Sequence, residues 1–276
     1  MRLQAKRSAP IRSGAARLAS RRVMGHPDGM RIIALAGHKG GSSKTTLAVS
    51  LAAAWAAEGR RVLVVDLDPQ ASATRWLGAD ADAGTSADLL AGRVTAVEIL
   101  RPSTVAGLAV LPAAPDMAAQ AASLPPDAVL ALRPAIETLR ADLVVIDCPP
   151  SLGVLALAAL YAADLAVLPT APSGLDLDAL ADSLAMVQRV QGRRSGAPVV
   201  RVVASRVDDR LTLARATLDR LRQRLPAELL TTVIRERVAH REAATLRRPV
   251  TELDPAGDAA ADVKTLAAEI WEGWPS

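Results

Sequence analysis

Residues 37–46, GHKGGSSKTT, combine glycines, small hydroxyl residues and two lysines at the spacing of a phosphate-binding loop. Gly37, Lys44 and Thr45 fit the pattern G-x-x-x-x-G-K-[S/T], which fails only at Ser43, where a glycine is usual. Such a loop aims backbone N–H groups and the positive end of a helix dipole at one anion. In that frame Lys44 reaches the β- and γ-phosphates of a nucleotide, and the Thr45 hydroxyl ligates Mg²⁺. A glycine-rich turn that binds nothing is the alternative for this motif taken alone.

Three aspartates lie at or just beyond the ends of two apolar runs. Asp66 ends the run 61–66, Asp68 follows it, and Asp147 ends the run 143–147. Carboxyl ends of parallel strands open onto one crevice, so these carboxylates are expected beside the loop. Phosphoryl transfer needs an oriented water and Mg²⁺, and carboxylates can hold both. Each Asp taken singly could instead cap a helix or form a turn.

Short β-branched runs alternate with longer helical patterns from residue 31 onward. The runs predict strands over 31–36, 61–66, 143–147, 165–170 and 199–205, with weaker candidates over 108–112 and 229–234. Helices are predicted over 45–58, 126–140, 152–163, 175–190, 211–224 and 258–271, and 78–127 is the least certain segment. Nearly continuous hydrophobicity in the strands predicts an α/β fold with a mostly parallel, twisted sheet and helices on both faces.

The phosphate loop and the aspartates also carry a family resemblance. Lys39, Gly40 and Gly41, followed by Lys44, Thr45 and Thr46, form the deviant Walker A pattern K-G-G-x-x-K-T-T. With DLDPQ at 66–70 and DCPPSLG at 147–153, the chain resembles the ParA/MinD group of ATPases, and within it the ParA-type DNA partition ATPases, from residue 30 to about 270. The resemblance implies a single-domain P-loop NTPase over 30–276 with ATP and Mg²⁺ as cofactors. Its implied nucleotide-binding residues are Gly40, Gly41, Ser42, Ser43, Lys44, Thr45 and Thr46.

The same resemblance implies roles for individual residues. Lys39 corresponds to the signature lysine, which in this family crosses the interface of an ATP-sandwiched homodimer and contacts the partner's nucleotide. Asp68 corresponds to the residue that positions the attacking water. Asp147 corresponds to the Walker B aspartate, and with Thr45 and Asp66 it completes the expected Mg²⁺ side of the site.

The C-terminal half resembles small ParA-type proteins, which bind double-stranded DNA without sequence preference and are stimulated by a ParB-like centromere-binding partner. The basic residues implied for DNA contact are Arg206, Arg210, Arg235, Arg237, Arg241, Arg247 and Arg248. Ordinary solvated arginines, partly paired with neighbouring acids, are the alternative for any one of them. Residues 1–29 are too few for the helix-turn-helix domain of larger members, so autorepression is not expected. A membrane-binding C-terminal helix is not expected either, because Lys264 is outnumbered there by acidic residues.

Charge and composition restrict the remaining possibilities. The net charge is +4, yet the first 30 residues carry seven basic residues against Asp28 alone, which leaves about −2 for the rest. This basic segment, predicted over 1–29 to be disordered, is either an electrostatic arm or a solvated extension. Cys148 is the only cysteine, so an internal disulfide is excluded and a cytoplasmic setting is expected. Association with the nucleoid is what the family resemblance implies. Cys148 is interpreted as a small apolar residue rather than a nucleophile.

The leading hypothesis is therefore a slow, partner-stimulated ATPase for plasmid or chromosome partition. Three alternatives stay open. One is a ParA-like ATPase that positions another cargo, and another is a nucleotide-binding scaffold that has lost hydrolysis, with Ser43 as its mark. The third is a metabolic relative of the same fold, such as an amidoligase or a dethiobiotin-synthase-like enzyme.

Overall fold

Eight strands form one sheet in the computed structural model, which describes residues 29–275 apart from the side chains of residues 174 and 175. The strands are β1 (Arg31–Leu35), β2 (Val62–Asp66), β3 (Arg101–Pro102), β4 (Leu108–Leu111), β5 (Leu143–Asp147), β6 (Leu165–Thr170), β7 (Val199–Val207) and β8 (Leu229–Arg235). Their order is β3-β4-β2-β5-β1-β6-β7-β8. Neighbouring strands are parallel except β3 and β4. The predicted mostly parallel sheet is confirmed.

Helices connect the strands over the described part of the chain. They are α1 (Lys44–Ala57), α2 (Ser72–Trp76), α3 (Ser86–Leu90), α4 (Ala96–Ile99), α5 (Met117–Ala122), α6 (Leu132–Glu137), α7 (Val154–Ala162), α8 (Gly174–Gln191), α9 (Thr212–Arg224), α10 (Val238–Leu246), α11 (Val250–Leu253) and α12 (Asp258–Glu272), with a 3₁₀ helix at Pro126–Leu130.

The two faces of the sheet pack against different helices. Alternate residues of β1 divide between the faces, as the two-residue period of a strand requires. Ile32 belongs to the apolar layer that includes residues of α7 and α8. Ile33 belongs to the opposite layer, with α1 and α12. In that second layer the Trp55 indole donates a hydrogen bond to the carbonyl of Ala267 (3.2 Å), which joins α1 to α12. Helices therefore cover both faces, as predicted.

The prediction for 126–140 was wrong in detail. A single helix was expected there, but a 3₁₀ helix is followed by the separate helix α6. Pro134 explains the division, because proline is tolerated in the first turn of an α-helix but not in its interior. The α-helix consequently begins at Leu132, close to the proline.

The segment 78–127, where only the strand 108–112 and the start of the helix 126–140 were predicted, forms short helices and the edge pair β3–β4. Two of the helices begin with capping boxes, Thr85 with Asp88 and Thr95 with Glu98. In each box the threonine hydroxyl caps a backbone N–H and the acid reaches back to the threonine. The T-x-x-[D/E] spacing is a readable signal for these two helices that the periodicity argument overlooked. The basic extension predicted over 1–29 lies almost entirely outside the described residues.

Candidate active site

The phosphate loop and the aspartates meet at the carboxyl edge of the sheet. Strand β5 lies between β1 and β2, and its last residue, Asp147, is in register with Leu35 of β1 and Asp66 of β2. The loop runs from Leu35 to the start of α1 at Lys44. Two carboxylates on neighbouring strand ends and the loop therefore share one crevice, as the strand pattern predicted.

The loop keeps a glycine-like backbone at Ser43. Ser43 precedes α1 with φ 70° and ψ 13°, in the left-handed region that favours glycine, and Gly41 has φ 74°. The Ser43 side chain makes no capping hydrogen bond to the helix. A left-handed conformation costs an L-residue roughly 1–2 kcal/mol. The serine thus occupies the usual glycine position without changing the backbone conformation expected there.

Lys44 is buried beneath the loop. Its ammonium group donates to the carbonyl of Lys39 (2.8 Å) and to the hydroxyl of Ser42 (3.4 Å). Burial lowers the pKa of Lys44, while the nearby negative charges, Asp147 foremost, act in the opposite direction. The cation therefore lies between the loop and the strand-end carboxylates, where it can reach either a phosphate or a carboxylate.

Asp147 is a buried carboxylate without a hydrogen-bond partner. Its side chain is 0% exposed, and neither oxygen accepts a hydrogen bond from the residues that the structure describes. Burial, followed by the charge of Asp66, raises the pKa of Asp147 well above its usual value. The charge of Lys44 and an approach of the Thr45 hydroxyl, whose geometry does not make a hydrogen bond, oppose this rise only in part. A buried polar group left unpaired is costly, so its retention indicates a partner outside the chain. A hydrated divalent cation fits that requirement, with the half-buried Thr45 hydroxyl beside it.

Asp66 has different surroundings from Asp147. One of its oxygens accepts from the Asp68 N–H (3.0 Å), and the other accepts from the N–H (2.8 Å) and hydroxyl (2.7 Å) of Thr74. Burial nevertheless raises the pKa of Asp66 to about 6. The hydrogen bonds hold the 66–70 turn and α2 against the sheet. Asp66 therefore acts on the turn that follows β2, and Thr74 is a site residue that no sequence motif pointed to.

Asp68 faces the same crevice from that turn. One of its oxygens accepts from the Gln70 N–H (2.9 Å), and its side chain is largely buried. This hydrogen bond closes an Asx-type turn. Asp68 therefore has the turn role that the sequence analysis gave as an alternative for each aspartate. The hydrogen bond engages only one oxygen, and the other accepts no hydrogen bond from the described residues, which leaves it available to a water.

Lys39 forms an ion pair on its own chain. Its ammonium group lies 2.9 Å from a carboxylate oxygen of Asp176, near the start of α8. The Lys39 side chain is 40% exposed, whereas that of Asp176 is 9% exposed. The Ser173 hydroxyl donates to the same oxygen of Asp176. Lys39 and Asp176 are 137 positions apart in the chain, so this pairing could not be read from spacing.

A cavity of about 250 Å³ opens beside the loop. Its walls include Gly41, Ser43 and Thr46 on one side and residues of β8 and α10 on the other, among them Ile234 and His240. Both His240 ring nitrogens are buried without a partner in the described part of the chain, and burial lowers the pKa of His240. The cavity adjoins the position where a nucleotide's phosphates would contact the loop.

The candidate DNA-contacting arginines fall into two groups. Arg210, Arg235 and Arg237 are ion-paired with acids of the chain, in pairs with Asp208, with Asp209 and Asp262, and with Asp258 and Asp262 respectively. Arg206 is paired with Glu236 and also contacts the loop. The remaining three, on or just after α10, are exposed and have no carboxylate partner among the described residues: Arg241, Arg247 and Arg248. The structure thus divides a set that the sequence treated as equivalent.

The described residues hold neither a preformed metal cluster nor a membrane-spanning helix. Within 29–275 no three or more His, Cys, Asp or Glu side chains cluster so as to hold a metal ion. A cation at Asp147 would therefore need water and phosphate oxygens as its further ligands, as Mg²⁺ commonly does. Over the same range, no helix has both the length and the apolar character needed to cross a bilayer.

Comparison with known proteins agrees with this geometry. A family model described as an AAA domain matches residues 30–197. The chromosome-partitioning ATPase Soj of Thermus thermophilus is 35% identical over 246 residues, which cover 87% of this chain and 95% of Soj.

Solved structures with nucleotide also share the fold. The cobyrinic acid a,c-diamide synthase of Mycobacterium smegmatis with ADP and magnesium superposes with a TM-score of 0.74 at 29% identity, covering 88% of this chain and 96% of that one. The septum site-determining protein MinD of Pyrococcus horikoshii with Mg-ADP gives 0.73 at 26% identity, covering 88% and 98%. The chain described here belongs to the ParA/MinD family of P-loop ATPases, on the branch of the Soj and ParA partition proteins.

Proposed function

We propose that this protein is a Mg²⁺-dependent ATPase that dimerises around ATP, binds double-stranded DNA without sequence preference, and partitions DNA with a ParB-like partner. The observation that carries the proposal is the buried, unpartnered Asp147 beside Lys44 and the phosphate loop. A Mg²⁺ ion bound near Asp147 and Thr45 would supply positive charge to the phosphate oxygens. Asp66 would support this side of the site by holding the turn that presents Asp68.

The ATP site combines three contributions from this chain. The backbone N–H groups of residues 40–46 and Lys44 would hold the phosphates, and the cavity beside Thr46 would take the base and ribose. Asp68 would orient water toward the γ-phosphate through its free oxygen. The Soj and MinD comparisons support ATP as the nucleotide, because Soj is named as an ATPase and MinD holds Mg-ADP.

Lys39 supports a composite site completed by a second copy. Its ammonium group is turned toward Asp176 rather than toward Lys44 or the strand-end carboxylates, and it is partly exposed. An exposed lysine at the edge of the loop can exchange an internal carboxylate for a phosphate of a facing protomer. A nucleoid-associated, cytoplasmic ATPase would then be released from DNA when its partner stimulates hydrolysis.

DNA binding is assigned first to the unpaired arginines of the α10 region. Arg241, Arg247 and Arg248 are exposed and unneutralised by acids among the described residues, so their charge is available to phosphates. The ion-paired Arg210, Arg235 and Arg237 would have to break internal contacts before binding DNA, and Arg206 would also have to leave the loop.

The test measures dimerisation, DNA affinity and phosphate release with ATP, ADP or no nucleotide across a salt series. ATP-specific dimerisation and steeply salt-dependent DNA binding are expected. Lys44→Ala should abolish all three, whereas Lys264→Ala, on the exposed side of α12, should not. DNA binding that is equal in all three nucleotide states would contradict the proposal.

An amide-forming ATPase is the second candidate, because the Mycobacterium smegmatis structure carries the name of an amide synthase. Cys148 does not support a thiol step in such chemistry, since it is buried and burial raises its pKa. An amide-forming ATPase would hydrolyse ATP only when the small molecule that accepts the amide group is present. Phosphate release that rises when DNA and partner protein are added, without any small-molecule acceptor, would favour the partition function over this candidate.

A further inference from the structure

Two consecutive residues of β7 hold the outer side of the phosphate loop. The Ser205 hydroxyl donates to the carbonyl of Ser42 (3.4 Å), and the Arg206 guanidinium donates to the carbonyl of Gly41 (3.0 Å). A peptide unit is planar and trans, so each anchored carbonyl directs the following N–H away from β7. Strand β7 therefore contributes to the direction of the loop's hydrogen-bond donors, which a bound phosphate would use.

Arg206 reaches the loop through an irregular part of its strand. Its φ is 53°, in the left-handed region, and the pairing of β7 with β8 shifts register between Ala204 and Val207. Irregularities of this kind re-aim a side chain out of the regular alternation. A residue held in a left-handed conformation without being glycine is maintained by its surroundings, and here those include the loop itself.

The same guanidinium makes a second contact, to Glu236. Its Nε lies 2.9 Å from a carboxylate oxygen of Glu236. The Glu236 N–H in turn donates to the carbonyl of Val207 (3.0 Å). Glu236 connects β8 to α10, the helix whose region carries Arg241, Arg247 and Arg248. A continuous path of contacts thus runs from the Gly41 carbonyl through Arg206 and Glu236 to the start of α10.

We propose that Arg206 and Glu236 couple the state of the phosphate loop to the arginine-bearing α10 region. The inference rests on the proposed function, in which that region contacts DNA. A ligand shifts a conformation only if it interacts differently with the alternatives. Phosphates that bind the N–H groups of the loop shift the peptide whose Gly41 carbonyl accepts from Arg206. That shift moves the Arg206 guanidinium and so changes its contact with Glu236. Arg206 is in this sense a positioning residue rather than a catalytic one.

The first measurement is amide hydrogen exchange of the peptide spanning 236–246, with Mg-ATP and with Mg-ADP at saturating concentrations and in the absence of DNA. ADP is the reference because Arg206 and Glu236 line the cavity proposed for the base and ribose, which both nucleotides would fill. In the unaltered chain, ATP is expected to slow exchange at the start of α10. Glu236→Gln should lose most of that change, because it removes the charge that Arg206 binds. Arg206→Lys should behave similarly, since a lysine lacks the fork that reaches both partners. Glu242→Gln is the matched control, as Glu242 lies on α10 without an ion-pair partner among the described residues.

The second measurement is the ratio of DNA affinities with ATP and with ADP. Glu236→Gln should reduce this ratio roughly 2- to 30-fold, the range typical of substitutions along a coupling path. Glu242→Gln should raise both affinities together, because it only removes a negative charge near the DNA. The proposal is overturned if Glu236→Gln keeps the full ATP-dependent exchange change, or if the unaltered chain shows none. If the unaltered chain binds DNA equally with ATP and ADP, the proposed function fails, and the exchange result still decides the coupling.

Discussion

Lys39 and Asp176 form an ion pair of 2.9 Å between the phosphate loop and the start of α8. The pair keeps within one protomer the lysine that the proposed function places across a dimer interface. If Lys39 binds the nucleotide of a partner protomer, it cannot at the same time keep its full ion pair with Asp176. In the proposed function, dimerisation on ATP would therefore compete with an internal contact.

Removing the charge of Asp176 should favour the dimer. Asp176→Asn deletes the charge that holds Lys39 but keeps the shape of the side chain and an acceptor for the Ser173 hydroxyl. Because Lys39 is partly exposed, the pair is worth at most about 1 kcal/mol in each protomer. A homodimer releases two such pairs, so ATP-dependent dimerisation should strengthen by up to about 25-fold, or about fivefold per protomer. Sedimentation across protein concentrations measures this.

The control for that prediction is Asp178→Asn, an exposed change on the same helix. It alters the charge of α8 equally but has no ion-pair partner among the described residues. Weaker dimerisation in Asp176→Asn alone would show that Asp176 works in the dimer and not against it.

Ser43→Gly should stabilise the fold without weakening ATP binding. The change relieves a left-handed serine, and the gain of roughly 1–2 kcal/mol is partly offset by the greater chain entropy of glycine, which leaves about 0.5–1 kcal/mol. Ser195→Gly is the matched control, because Ser195 has φ 53° and lies away from the loop. Urea unfolding should show similar gains for both variants, and lower stability in Ser43→Gly would refute this account of the loop.

Asp66 should make stability depend on pH in a predictable direction. Its pKa is raised by burial to about 6, above the value near 3.9 of an unfolded chain. The folded state therefore binds this proton more tightly, and ionisation as pH rises from about 4 to 7 destabilises it. In nucleotide-free buffer with chelator, Asp66→Asn should remove that contribution, which is on the order of 3 kcal/mol at most.

The measured quantity is the difference in unfolding free energy between Asp66→Asn and the unaltered chain at pH 4, 5, 6 and 7. Taking the difference cancels groups that Asp66 does not influence, including His240, whose lowered pKa acts with the opposite sign. Asp147 does not cancel, because the charge of Asp66 raises its pKa, but losing that charge changes the difference in the same direction. The variant should gain relative stability as pH rises. Asp127→Asn, an exposed change, should show no such trend, and a flat difference for Asp66→Asn would contradict the buried-carboxylate interpretation.

The unpaired arginines should account for most of the salt dependence of DNA binding. Replacing Arg241, Arg247 and Arg248 together by Ala should weaken binding to all sequences similarly. It should also reduce the slope of log affinity against log salt by about 1 for each DNA phosphate that is no longer neutralised. Arg235→Ala should lower the slope less, because Arg235 is already paired with Asp209 and Asp262. Equal slopes for the triple variant and the unaltered chain would exclude this surface.

Much of the fold could be predicted because its signals are local. Strands buried on both faces, such as β5 and β6, are rich in Val, Ile and Leu, and the weaker candidate that became β4 follows the same rule. The other weak candidate, β8, is an edge strand with Thr231 and Arg235 exposed, which is why its apolar pattern is less continuous. Short helices such as α4 were missed, since capping and not periodicity defines them. The α-helix α6 begins at Leu132 and not at 126, because Pro134 is tolerated only in the first turn, and apolar spacing alone could not place this start.

The sequence by itself determined the type of site, because the loop spacing and the strand-end aspartates are set by residues near one another in the chain or in register on adjacent strands. Only the tertiary structure decided how the charges pair. Lys39 with Asp176, Arg206 with the Gly41 carbonyl and Glu236, and the unpartnered state of Asp147 all depend on groups far apart in sequence. Whether a buried or exposed charge is neutralised depends on distances of a few ångströms between such groups, and residue spacing along the chain does not encode them.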